Sequence, residues 1–120
     1  MREIVQHAKE GHARSKLAFD MFIHVLCKAI AAMASSLSGI DVLVFTAGIS
    51  ENSPEVREAT CGRLGFLGIN IDHEKNHSVQ PNADLSAFDS RVRILKIRAQ
   101  EDWAIAQECL GLTQKSASGA

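Results

Sequence analysis

The sequence lacks an excess of either charge: Lys and Arg number 13 against 14 Asp and Glu. That balance gives no basic footprint for nucleic acid and no polybasic patch for an anionic membrane, so neither is expected as a partner. Cysteines are few. Cys27, Cys61 and Cys109 lie far apart, with no CxxC pair and an odd total, which excludes a disulfide framework or zinc ribbon and suggests reduced, mostly buried thiols. The five histidines include no HExxH, and His73 and His77, four apart in a polar stretch, read as surface residues. No secretory signal opens the chain, and Asp20, His24 and Lys28 break its longest apolar tract, residues 19–37, so a membrane span is not expected. A cytoplasmic protein is the expectation.

Hydrophobic residues make up 46% of the 120 residues, enough for one small domain with a core. Residues 2–10 place Ile4, Val5 and Ala8 on one helical face before a stop at Gly11. From residue 12 to 37 apolar side chains recur at three-four spacing, from Leu17 to Leu37, predicting a long helix with one wide buried face and a stop at Gly39. Residues 42–45 form a continuous apolar run suited to a central strand. A helix over 53–64, a short extended piece at 69–71, a long surface loop over 72–90, a strand over 92–97 and a helix over 100–110 ending at Gly111 follow. The Ser-, Ala- and Gly-rich tail 113–120 is expected to fray. Alternating strands and helices predict an α/β fold on a small, mostly parallel sheet.

Residues 41–57 carry the candidate chemistry, as a buried strand, a small-residue turn at Ala47-Gly48 and a helix with Ser53 as N-cap and Pro54 as its first residue. Such a helix start aims backbone N–H groups and a positive dipole end at the turn, an arrangement suited to an anion such as a nucleotide phosphate. An ordinary ligand-free connection has the same spacing. The turn matches neither the Walker pattern nor GxGxxG, lacking the lysine and the glycine spacing. Glu101 opens a helix directly after a strand, where a carboxylate either complements the dipole or faces a cleft beside the strand ends, as a magnesium ligand would.

Phe45-Thr46-Ala47-Gly48-Ile49-Ser50-Glu51-Asn52-Ser53 closely resembles the FT(A/G)GIGENS segment of the acetate/propionate kinase family. Met1-Arg2-Glu3-Ile4 resembles the family's DMR(D/E) segment without its Asp, Gly65-Phe66-Leu67-Gly68-Ile69 its LG(Y/F)LGI, and Gln100-Glu101-Asp102 the segment before its last helix. The resemblance covers the chain to about Leu112 and implies part of an actin-like, sugar-kinase-like ATPase fold: residues 1–112 as its C-terminal nucleotide-binding part, with 113–120 as a flexible tail. It further implies that Gly48, Ile49, Ser50, Glu51 and Asn52 hold the nucleotide, that Arg2 and Val56 flank its base, and that Glu101 is a magnesium ligand. Ser50 stands where the family has glycine, a change expected to crowd or strain the loop if that position has positive φ or touches phosphate.

The implied activity is reversible phosphoryl transfer between ATP and acetate with Mg²⁺, in which this chain resembles only the nucleotide and metal side. The family's acyl pocket, arginines and catalytic aspartate belong to an upstream half, so no catalytic residue is assigned, an acyl substrate is expected only when that half is supplied, and the chain alone is expected to be inactive. Family members form homodimers, which implies a homo-oligomer. The alternatives are a non-catalytic nucleotide-binding or dimerisation module and a truncated remnant.

Overall fold

The computed structural model describes residues 1–119, with side chains for all of these except 115–118. Helix α1 (Arg2–Lys9) turns at Gly11 into the long α2 (Ala13–Ser36). The end of α2 is a Schellman arrangement: the Gly39 N–H donates to the Ala34 carbonyl at 2.8 Å and the Ser38 N–H to that of Ser35 at 3.1 Å. Ser38 takes the left-handed position at φ 59°, so the stop expected at Gly39 begins one residue earlier, on a side chain less suited to it.

Strand β1 (Val42–Thr46) leads through the one-turn α3 (Gly48–Asn52) into α4 (Pro54–Arg63). A 3₁₀ turn (Gly65–Leu67), the short α5 (His73–Asn76), β2 (Ala83–Asp84), β3 (Arg93–Ile97) and α6 (Glu101–Ser118) complete the order. The sheet runs β1-β3-β2, with β1 and β3 parallel (Val42 opposite Arg93, Thr46 opposite Ile97) and β2 antiparallel to β3. It is therefore mixed rather than mostly parallel. The third strand comes from the segment expected to be a loop, whereas Ile71 makes only a single bridge, to Ser86. The pull on that segment is Leu85, fully buried in the core, with Asp84 beside it accepting from Ser86 and from Arg93 at 2.9 Å. Those partners hold the Asp84 carboxyl down at about 2.

The core joins Ile23 and Cys27 of α2, Val56 and Cys61 of α4, Phe45 of β1 and Ile94 of β3. Cys27 and Cys61 are buried free thiols as expected, and burial pushes Cys61 up to about 12. Cys109 is exposed. The wide apolar face read for α2 is split. Ile23, Cys27 and Ala34 are buried, while Leu17, Met21, Val25, Met33 and Leu37 are all at least 60% exposed. By length and apolarity α2 could cross a membrane, yet Asp20 pairs with Arg63 of α4 at 3.5 Å and the Cys27 thiol donates to the Thr60 carbonyl at 3.7 Å, contacts of a helix packed on protein.

Two further expectations change. Strand β1 is an edge of the described sheet, not its centre, with Val42 and Val44 open on one face. Helix α6 does not stop at Gly111 but continues to Ser118, since a helical Gly costs only about 1 kcal/mol relative to Ala and the following Gln and Lys favour helix. Every residue from 101 to 110 is exposed. The Cα radius of gyration is 18.2 Å, against roughly 13.6 Å for a compact domain of this length, so the chain is extended with open faces.

One buried cation orders the centre. Arg57 is 2% exposed, and its guanidinium donates to Asn76 Oδ1 (2.8 Å), the Asn76 carbonyl (2.7 Å) and the Ser50 and Glu51 carbonyls (2.8 Å each). Asn76, also fully buried, donates from Nδ2 to the Pro54 carbonyl at 2.9 Å. Arg57→Leu leaves those acceptors unpaired and is expected to cost about 3 kcal/mol in urea unfolding, with Arg57→Lys recovering less than half because an ammonium cannot reproduce the fork. An unchanged unfolding midpoint in Arg57→Leu would refute this role.

Candidate functional site

The chain leaves β1 through two consecutive residues of positive φ, Ala47 at 59° and Gly48 at 40°. With ψ at 148°, Ala47 occupies a region that belongs almost wholly to glycine and costs an alanine on the order of 1–3 kcal/mol. The compensation is local. Ser50 Oγ donates to the Thr46 carbonyl at 2.7 Å, Asn52 Nδ2 to the Gly48 carbonyl at 2.7 Å, and Arg57 grips the last turn of α3. What reads as a turn in the sequence is thus a single helical turn. Ser50 has no positive φ, and its hydroxyl points back to the strand end, so the serine is accommodated without backbone strain.

Helix α4 starts as expected, with the Val56 N–H donating to Ser53 Oγ at 3.4 Å and Pro54 in the first turn. Its dipole, however, already has an anion. Glu55 sits in that first turn, accepting from Lys9 Nζ at 2.7 Å and from Ser53 Oγ at 3.2 Å. The Lys9 hydrogen bond, chiefly, holds its carboxyl below the usual range. The pair also clasps α1 to α4.

Between α1 and this loop lies a cleft of about 530 Å³, walled by Arg2, Gln6 and Lys9 on one side and by Gly48, Ile49 and Asn52 on the other. Of the residues singled out in the sequence, Arg2, Gly48, Ile49 and Asn52 therefore meet at one cavity. Glu51 faces away from it, its Oε2 accepting from the Ala99 N–H at 3.2 Å. Val56 is fully buried in the core and offers no surface to a ligand, so its expected place beside a base is not seen. The ends of β1 and β3 are neighbours, Thr46 opposite Ile97, but Glu101 does not line the cleft. It is exposed in the first turn of α6 beside Asp102.

Gln6 and Lys9 fall within the first helix, beside the apolar face of Ile4, Val5 and Ala8, and nothing in their spacing singles them out. Lys96 and Arg98 went unread as well. They line a second cleft of about 350 Å³ with Glu51, Asn52 and Gln80, on another flank of α3. Lys96 is 5% exposed and donates from Nζ to the Ser78 carbonyl at 2.7 Å. Burial and, after it, the charge of Arg57 lower its pKa. The available signal was strand alternation, which puts a lysine on the same inward face as Ile94.

Ala47→Gly is expected to raise stability by about 1 kcal/mol in thermal or urea unfolding, the relief of the backbone exceeding the added freedom of the unfolded chain. A lowered midpoint would show that Ala47 carries no strain.

Comparison with known proteins bears on the whole of this arrangement. The model of the acetokinase family matches residues 1–107. The chain is 51% identical over 109 residues to an acetate kinase of Gloeobacter violaceus, covering 91% of this chain and 27% of that protein. Its fold matches the crystal structure of an acetate kinase from Entamoeba histolytica with a TM-score of 0.82 at 29% identity, covering 94% of this chain and 30% of that one. A propionate kinase from Francisella tularensis matches at a TM-score of 0.80 and 36% identity, covering 89% and 27%. The chain thus spans under a third of the length of these relatives. With the strand-to-helix loop, the cleft beside it and a family match over nearly all of its residues, the chain belongs to the acetokinase family.

Proposed function

We propose that the cleft between α1 and the Gly48–Asn52 helix is the nucleotide side of an acetate kinase-type phosphotransferase, and that residues 1–112 are the C-terminal nucleotide-binding part of an actin-like ATPase fold. The observation carrying this reading is the meeting of Arg2, Gly48, Ile49 and Asn52 around one cavity of about 530 Å³, a size within the usual range for small-molecule sites. Gly48 and the strained Ala47 bring backbone close to a ligand, Ile49 supplies apolar surface, and Arg2 supplies a guanidinium for stacking or phosphate. Val56, Ser50 and Glu51 then support the loop from behind.

In the reaction class, the γ-phosphoryl group of ATP passes to a carboxylate oxygen of acetate, giving acetyl phosphate and ADP, and the reverse. The metal that accompanies ATP fits what α6 offers: the Glu101 carboxylate is solvent-exposed, has no hydrogen-bond or ion-pair partner among the described residues, and has the oxygen chemistry Mg²⁺ takes. Mg²⁺ would supply charge neutralisation on the phosphate oxygens. Phosphoryl transfer depends on cations placed around the transferring group, and the cleft contributes Arg2 and Lys9, the latter already paired with Glu55. The isolated chain is therefore a nucleotide binder without turnover, and an acyl substrate enters only with the remainder of the fold.

A second reading, association through the open faces, has its own support: Leu17, Met21, Val25 and Met33 on α2 and Trp103 and Ile105 on α6 are each at least 60% exposed. Size-exclusion chromatography at about 50 µM is expected to give a dimer or larger species, and a clean monomer would count against this reading.

Calorimetry with Mg-ATP tests the first reading. Weak binding is expected, reduced roughly fivefold or more by Arg2→Ala, with Glu101→Ala removing the advantage of Mg-ATP over ATP alone. Absence of binding at millimolar Mg-ATP, or affinity indifferent to both substitutions, would overturn it.

A further inference from the structure

His73 and His77, four apart in a polar stretch, are surface residues, but the fold adds a third group from another element. Glu58 of α4 stands against them: one ligand atom from each of Glu58, His73 and His77 lies within 4.8 Å of the others. His73 Nδ1 and Glu58 Oε1 are 2.9 Å apart, and the two imidazoles meet edge to face with centroids 5.2 Å apart. We propose that these three side chains form a binding site for a divalent transition metal of the zinc type, separate from the nucleotide cleft, whose lining includes none of them.

The donor set is suitable, because two imidazole nitrogens and a carboxylate are ligands that zinc-type ions take, with a fourth position left to water. Distances are close to those required. Three atoms no more than 4.8 Å apart share a point within about 2.8 Å of all of them, so each side chain closes by under ~1 Å to reach metal–ligand lengths of 2.0–2.1 Å. His73 and His77 are exposed and the Glu58 side chain is 45% exposed, so solvent reaches all three ligand groups. An ordinary ion pair accounts for Glu58 with His73, but not for His77 at the same point.

What separates this cluster from chance surface neighbours is its foundation. Glu58 follows Arg57 directly, and His73 and His77 flank the segment containing Asn76. Arg57 and Asn76 are the two buried residues joined by hydrogen bonds of 2.7 and 2.8 Å. Asp72 caps α5 through the Lys75 N–H at 2.9 Å, and the Lys75 ammonium, the cation between the two histidines in sequence, is turned away to the Ser86 carbonyl at 2.9 Å. The backbone under the ligands is thereby fixed by interactions the metal does not need to create, which is the condition for binding without a large ordering cost. A bound ion would join α4 to α5 on the outside, across the same seam that Arg57 closes from within.

The test uses the whole chain without an affinity tag, titrated with Zn²⁺ by calorimetry and with Co²⁺ by visible absorption. One equivalent is expected to bind, with d–d bands of a low-coordinate Co²⁺ site, and to raise the thermal midpoint. His73→Ala and His77→Ala are each expected to lower the affinity roughly tenfold or more, and Glu58→Gln to lower it as well. The double variant His7→Ala/His12→Ala and the variant Cys109→Ser should bind as the parent does, and the metal-free melting of all variants should match it. No stoichiometric binding at about 100 µM metal, or binding lost with Cys109 or with the His7/His12 pair instead, overturns the proposal.

Discussion

A single guanidinium without a carboxylate partner holds the middle of this molecule together. Arg57 lies inside, and its hydrogen bonds go to amide and carbonyl oxygens from α3 and α5. Burying a cation this way is costly unless every donor is used, so the interaction constrains its surroundings on all sides. It fixes the final turn of α3, whose carbonyl end favours a positive charge, and it pins α5 against the start of α4. Loop geometry at the candidate nucleotide cleft and backbone geometry at the Glu58–His73–His77 cluster both descend from that one side chain. The strain at Ala47 is tolerable for the same reason, because the residues that follow it are held at several points.

The parts of the fold legible in the sequence were those governed by local rules. Ser53 and Pro54 announce α4, Gly11 separates α1 from α2, and the apolar runs at 42–45 and 92–97 both become strands. The family resemblance rested on short motifs, and the family match confirms it over residues 1–107. What was not legible depends on partners distant in the chain. Nothing near Leu85 reveals that it reaches the core, so β2 was hidden in a polar stretch. Nor does the apolar run of β1 reveal that one of its edges is open, since a strand's composition reports its intended burial and not its neighbours. Arg57 was read only as a helix residue, because a buried arginine with amide partners has no sequence signature. At the site, Arg2 and the Gly48 loop were legible as motifs, while the contributions of Lys9 and Lys96 needed the third dimension.

Helices α2 and α6 and strand β1 each carry apolar side chains on an open face. The elongated shape goes with this, since the core formed by Ile23, Phe45, Val56, Leu85 and Ile94 leaves half of α2 and residues 101–110 of α6 outside it. That half-buried character also explains why the spacing of α2 suggested a wider core face than it has.

The parallel register of β1 with β3 bears on the order in which the molecule can assemble. All of α3, α4, α5 and β2 lie between these strands in the sequence, so their pairing closes a long loop. The helices and the β2–β3 pairing form from near neighbours, but β1 has no described partner until β3 has been made. During synthesis Val42 to Phe45 would wait, with an apolar strand edge uncovered, for the partner strand about 50 residues further along the chain. The β1–β3 pairing is thus the contact of the sheet that closes the longest stretch of chain, and until it forms the edge of β1 is open to mispairing.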